Sequence, residues 1–227
     1  MPNCFETLCD QASFSKADII VGENYIVSEG ETKRVELLVN GFLSHNNILE
    51  AYCKRKWYNQ EWNKLYRMDF LKEKKLRFVE GTILEDEIWS FDIACLAQTA
   101  IFIKDPTYNY YIRPKSIIST VKDSSARWKT FLNVNKIIRE HISCYHLEAN
   151  ASVGLYFLEN LLVTVSGLKA QKALTPALLD NAVQLNAMPI LQLYKRNKLS
   201  LKQLIAYSYF MLPKPLSFWW HRVLSSI

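Results

Sequence analysis

The chain has little glycine, no paired cysteines and no leader-like start. Only 6 of its 227 residues are glycine, while aromatics reach 13%. That balance excludes global disorder. Five cysteines, Cys4, Cys9, Cys53, Cys95 and Cys144, form no C-x-x-C pair. An odd, scattered count argues against a disulfide framework and for reduced thiols in a cytosolic setting. Most are expected in the core, where a free thiol behaves as a small hydrophobe. Histidine is also scarce: His141 and His146 do not share a helix face, and with Cys144 they make no standard zinc spacing. The first residues, MPNCFETLCDQ, have neither the basic start nor the apolar run of a signal peptide. The most apolar window, residues 151–168, is broken by Glu159 and Asn160. It is short for a spanning helix and is expected as a buried one. No internal repeat or low-complexity tract is evident.

What is present is an apolar fraction of 49%, enough for one sizeable core or two small ones. The net charge is +6 and the pI about 9.0. This suits nucleic acid, an anionic membrane or phosphorylated substrates. The basic residues are dispersed and no recognition motif accompanies them, so nucleic acid is not expected as a partner.

Along the chain, residues 3–12 repeat Phe5, Leu8, Cys9 and Ala12 at helical spacing. Residues 17–27 are rich in β-branched and aromatic types and read as a strand, followed by a hairpin turn at 29–32. Helices are expected over 45–54 and 69–75. Thr82 and Glu85 match a capping box, which predicts a helix from there to about Gln98 with Ile88, Phe91 and Cys95 as its core stripe. Two short strands, 100–103 and 108–113, follow. From Ser124 onward only helical periods remain, at 125–145, 148–166, 175–186 and 200–211, punctuated by prolines. The fold class is therefore α/β, with a mixed region over 1–120 and a helical region over 121–227.

Three consecutive acids, Glu85, Asp86 and Glu87, stand where the fourth of these helices begins. Ionised neighbours repel, so the triplet is a candidate for proton chemistry or cation binding. It could equally complement the helix dipole, at roughly 0.3–1 kcal/mol per acid.

The run from Trp62 to Ser119 resembles the C-terminal half of bacterial family 2 glycosyltransferases with the GT-A fold, a nucleotide-diphospho-sugar transferase fold. The resemblance rests on Asn63-Lys64-Leu65-Tyr66-Arg67, Phe70-Leu71-Lys72, Leu76-Arg77-Phe78, Glu80-Gly81, the acidic triplet, Tyr110-Tyr111-Ile112-Arg113 and Ser116-Ile117. Ala17 to Val21 is similar to the family's strand after its metal-binding loop. The order and spacing of these landmarks carry the resemblance, over about residues 1–120. The family's nucleotide-binding half, with its Asp-x-Asp motif for a divalent cation (Mg or Mn), has no counterpart here; Met1 falls just after its expected place.

The resemblance implies transfer of a sugar from a nucleotide-sugar donor to a saccharide or lipid-linked acceptor, in cell-surface polysaccharide synthesis. Transfer by these residues alone would be weak or absent, because the clamp on the leaving diphosphate is a dominant electrostatic factor. Asp86 would be the catalytic base, removing the acceptor hydroxyl's proton as that oxygen attacks the anomeric carbon. Glu85 and Glu87 flank it as candidate substrate-binding groups. Trp62 and Lys64 would line the sugar pocket, an aromatic face beside a cation; alternatively Trp62 is core and Lys64 solvated. Arg113, Lys115 and Ser116 follow the last strand, where a guanidinium can pair with phosphate oxygens, or simply form a basic strand end. Near the C-terminus, Lys195, Arg196, Lys198 and Lys202 precede Phe218, Trp219 and Trp220, which stand among Lys214, His221 and Arg222. Tryptophans with flanking cations suit peripheral contact with the inner membrane face; packing onto the core would use the same residues. The competing functional class is a non-catalytic interaction or membrane-associated module.

Overall fold

The computed structural model describes residues 3–28, 30–113, 124–170, 172–186, 212, 213 and 216. The chain forms two compact units, Met1–Lys122 and Asp123–Ile227.

The first unit is a mixed sheet between helices. Its elements are α1 (Cys4–Ser15), β1 (Ile19–Ser28), β2 (Glu31–Val35), β3 (Gly41–Ser44), α2 (His45–Cys53), β4 (Lys64–Tyr66), α3 (Met68–Glu73), α4 (Glu85–Leu96) and β5 (Thr99–Tyr111). The strand order is β2-β1-β5-β3. β1 and β5 run parallel, and the other pairings are antiparallel. One edge of β1 serves two partners in turn: β4 along Ile19 to Val21, then β2 along Asn24 to Ser28. Gly22 lies between them. Its N–H donates to Asn63 O (2.9 Å) and its carbonyl accepts from Asn63 Nδ2 (2.6 Å).

Alternation along the strands sorts the side chains onto two faces. Ile20, Leu65, Ile101 and Ile103 meet Leu8 and Ala12 of α1. On the other face, Phe102 meets Trp57 at a ring separation of 5.8 Å, and Tyr52 of α2 meets Phe91 of α4 at 6.3 Å. Every α4 residue from Ile88 to Cys95 is buried. Lys64 and Tyr66, opposite Val21 and Ile19, fall on this second face. At the start of β1, Asp18 is a junction. It accepts the N–H groups of Gln98 (2.7 Å) and Thr99 (3.1 Å) and pairs with Arg67 (2.6 Å).

Several expectations need correction. The stripe of α1 is Cys4, Leu8 and Ala12; Phe5 is 77% exposed and Cys9 is exposed. Only Cys53 and Cys95 are buried, so most thiols are not core. The two expected strands at 100–103 and 108–113 are one strand, β5. Pro106 sits opposite Glu23 at a register shift, and such an irregularity admits a proline without ending the strand. β3 and β4 were not expected. Both are short, and β4 has only three residues. The capping box does not form: α4 begins after Leu84, in the left-handed region at φ 67°, and has no side-chain cap. Its first-turn bond runs from Glu87 N–H to Leu84 O (3.2 Å), two residues later than a Thr82 cap requires.

In the second unit, α5 (Ser124–Cys144), α6 (Ala151–Ala170) and α7 (Pro176–Asn186) share a core of Leu132, Leu161, Val165, Leu179 and Ala182. Gly167 of α6 leaves room for the Trp128 ring. α6 is long and apolar enough to cross a membrane by composition, yet 56% of its apolar window is buried inside the protein. Buried Asn160 donates to Asn135 Oδ1 at 3.1 Å, which suits an interhelical contact in a protein core. The expected helix at 200–211 lies outside the described residues.

Candidate functional site

Asp86 and Ser90 are four residues apart on α4 and therefore share one face. That face meets residues 59–61, the segment leading into β4. Asn59 Nδ2 donates to Asp86 Oδ2 at 3.0 Å, and the N–H of Glu87 donates to Asp86 Oδ1 at 3.0 Å. Ser90 Oγ lies 2.9 Å from both Asn59 O and Glu61 Oε1. Tyr66 donates its hydroxyl to Glu61 Oε2. Lys64 Nζ donates to Gln60 O and to Asn63 Oδ1, the latter at 3.0 Å, and lies 5.7 Å from the centre of the Trp57 ring. One turn of α4, the 59–61 segment and the three-residue β4 thus gather Asp86, Ser90, Glu61, Lys64 and Tyr66 into one polar network beneath α4.

The network displaces proton affinities in the directions burial dictates. Burial, then the charge of Glu85, raises the Asp86 carboxyl above its usual range; the Glu87 N–H and Lys64 oppose this. Burial also raises Glu61, against the opposing pull of Lys64, Tyr66 and Ser90. Lys64 is lowered to about 8 because burial disfavours its ammonium, although Glu61 and Asp86 favour it. Tyr66 is raised well above the ordinary phenol, by burial and by Glu61. Clusters of this kind are where acid–base chemistry is expected.

The acidic triplet separates. Glu85 is exposed. Asp86 joins the network. Glu87 turns to α2, accepting from Tyr52 OH at 3.2 Å. Lys64 is only 9% exposed, so it is not solvated. Trp62 stacks on Tyr108 at 4.3 Å and Tyr110 at 5.6 Å, the planes within 26° and 13°. It forms a half-buried aromatic layer on β5. Arg113 is exposed, two residues beyond β5. Lys115 and Ser116 lie outside the described residues, as do Lys195, Arg196, Lys198, Lys202, Lys214, Phe218, Trp219, Trp220, His221 and Arg222.

Glu61, Asn59 and Ser90 were not singled out from sequence. The spacing of Asp86 and Ser90 was a usable signal for Ser90. Nothing local identifies Glu61, because its partners Tyr66 and Ser90 meet it only once β4 packs under α4.

Among the described residues no group of three or more His, Cys, Asp or Glu side chains is placed to hold a metal. Asp86 and Glu87 are directed to Asn59 and Tyr52 instead of converging. A cleft of about 480 Å³, lined by Ala12, Lys16, Ile20, Leu65, Tyr66 and Arg67 among others, opens beside α1. It meets the network only at Tyr66. No known family model matches the chain, and no curated protein matches it.

Proposed function

We propose that the first unit is the acceptor side of a GT-A-type glycosyltransferase, with Asp86 as the base that deprotonates the acceptor hydroxyl. The observation that carries this reading is the setting of Asp86. It is a half-buried carboxylate at a helix start, oriented by Asn59 and Glu87 N–H, with proton affinity raised by burial. A carboxylate has about four lone-pair sites, more than Asn59 and the local backbone N–H groups fill, so Asp86 can still take a proton. A base of raised affinity transfers protons more effectively near neutrality than an ordinary aspartate.

In this reading the acceptor is a saccharide or lipid-linked sugar. Trp62, backed by Tyr108 and Tyr110, offers an aromatic face for its ring. The nucleotide-sugar donor and its Mg or Mn ion would be held by residues other than those described, so no step is assigned to the ion here. Attack by the deprotonated hydroxyl on the anomeric carbon, with departure of the nucleotide diphosphate, inverts that carbon.

The test combines binding and transfer. Neutral oligosaccharides titrated into ¹⁵N-labelled protein should shift the Trp62 indole and the Asn59 and Asp86 amides, and Trp62→Ala should weaken binding about tenfold, the scale of a lost aromatic contact. Any transfer from labelled nucleotide sugars should fall in Asp86→Asn. No saccharide response at these residues, or transfer undiminished in Asp86→Asn, contradicts the reading.

A further inference from the structure

Lys64 occupies a place where a lysine is costly. It is nearly buried, at the first position of a three-residue strand. A buried ammonium loses hydration that a methionine of similar length never has. Its surroundings are not arranged for stability alone either. Trp57, whose ring lies 5.7 Å from the ammonium, and Gln60, whose carbonyl accepts from it, have buried Nε1 and Oε1 atoms with no hydrogen-bond partner among the described residues, an arrangement stability alone disfavours.

The geometry shows what the ammonium does. Residues 59–63 are anchored at both ends: Asn63 is bonded twice to Gly22 of β1, and Asn59 reaches Asp86 of α4. Between these anchors, Lys64 Nζ reaches back to Gln60 O and across to Asn63 Oδ1. The ammonium therefore closes the segment on itself. We infer that Lys64 is the positioning residue of this site: its ammonium closes the 59–63 segment, whose Asn59 holds Asp86, over the start of α4 and places a positive charge within the site. The inference rests on the reading of Asp86 as base, and it adds a residue that acts through Asp86 without touching the substrate.

The groups around this charge come from every neighbouring element. Glu61 belongs to the segment itself; Tyr66 comes from β4 and is bonded to Glu61; Asp86, Ser90 and, through Asp86, Glu85 come from α4; Trp57 comes from the stretch after α2. A positive Lys64 favours the ionised forms of both Asp86 and Glu61. Neutralising it should therefore raise the titration midpoints of both carboxyls, whereas a change of packing alone has no reason to follow the charge at position 64.

Side-chain carboxyl ¹³C NMR titration tests this with no need for a substrate. In Lys64→Met the Asp86 midpoint should rise by on the order of one pH unit, and Lys64→Arg should bring it back toward wild type. Amides of α1, on the other face of the sheet, should stay in place in both variants. An unchanged Asp86 midpoint in folded Lys64→Met, or equal rises in the Met and Arg variants, overturns the inference. Should Lys64→Met fail to fold, wild type still decides. The Lys64 side chain should titrate near pH 8, and the Asp86 carboxyl signal should show a second, smaller inflection at the same midpoint. A smooth Asp86 curve there overturns the inference as well. None of these outcomes depends on sugar transfer, so failure of the inference is distinct from failure of the catalytic reading.

Discussion

Substituting Gly22 by alanine tests the parallel pairing that places the site. A Cβ on Gly22 would stand 2.5 Å from Thr107 Cγ2 and 2.6 Å from its Oγ1. Both distances are far inside van der Waals contact. Thr107 is 1% exposed and its hydroxyl points to Glu23 O at 3.4 Å, so it has no free volume to swing into. Overpacking of this kind costs about 1–3 kcal/mol, and the upper half of that range is expected because both strands are central to the sheet. Thr107→Ala alone should cost about 1 kcal/mol, from a lost methyl and a long hydrogen bond. In the double variant the two clashing atoms are gone, and only a Cβ–Cβ approach near 3.1 Å remains. The double variant should thus be more stable than Gly22→Ala, with a coupling of at least about 1 kcal/mol. The assay is urea unfolding of all four proteins, with hydrogen exchange at β1 and β5 amides to assign the effect to the first unit. Because Gly22 is bonded to Asn63, the Asn59 amide should also shift in Gly22→Ala and recover in the double variant. Strictly additive effects would refute the β1–β5 register and the placement of the 59–63 segment derived from it.

Three further outcomes are expected. Glu61 has a raised folded-state affinity, so its ionisation opposes folding as pH climbs from the unfolded carboxylate range through its folded value; the stability of Glu61→Gln relative to wild type should therefore rise from pH 4.5 to pH 7, by urea midpoint, and a constant difference contradicts it. Gly167→Ala would put a Cβ 1.7 Å from Trp128 Cζ2, so it should destabilise the second unit by about 3 kcal/mol or more, with α5 and α6 amides losing exchange protection while those of β1 and β5 keep theirs. Leu84 holds a left-handed conformation at the start of α4 without a side-chain cap; asparagine tolerates that conformation and can cap, so Leu84→Asn should raise the thermal midpoint, by about 1 kcal/mol in stability.

The sequence was most legible where a pattern is local. The 3.6-residue repeat of Ile88, Phe91 and Cys95 announced α4, and the β-branched run at 19–21 announced β1. Both reflect burial against the sheet. Where long-range pairing decides, the pattern was silent or misleading. Lys64 to Tyr66 is a strand only because Val21 to Ile19 lies beside it. The expected gap between 103 and 108 is instead a register shift, with Pro106 opposite Glu23, that cannot be seen from one strand. Phe5 looked like core by spacing, yet α1 turns Cys4, Leu8 and Ala12 to the sheet instead. The site shows the same division. Asp86 stood out in a conspicuous acidic triplet, whereas Glu61 gained its partners Tyr66 and Ser90 through packing. Lys64 was expected either in the sugar pocket or in solvent, and its burial, which excludes the second, follows from the pairing of β4 with β1.

The most direct test of Asp86 as base is the rate of sugar transfer from a labelled nucleotide sugar to an oligosaccharide, compared among wild type, Asp86→Asn and Asp86→Glu at equal saccharide occupancy. Loss of a general base costs about 10²–10⁴-fold. Asp86→Asn should fall by that factor with binding unchanged, and Asp86→Glu should retain part of the rate. Transfer by Asp86→Asn at the wild-type rate would contradict the account.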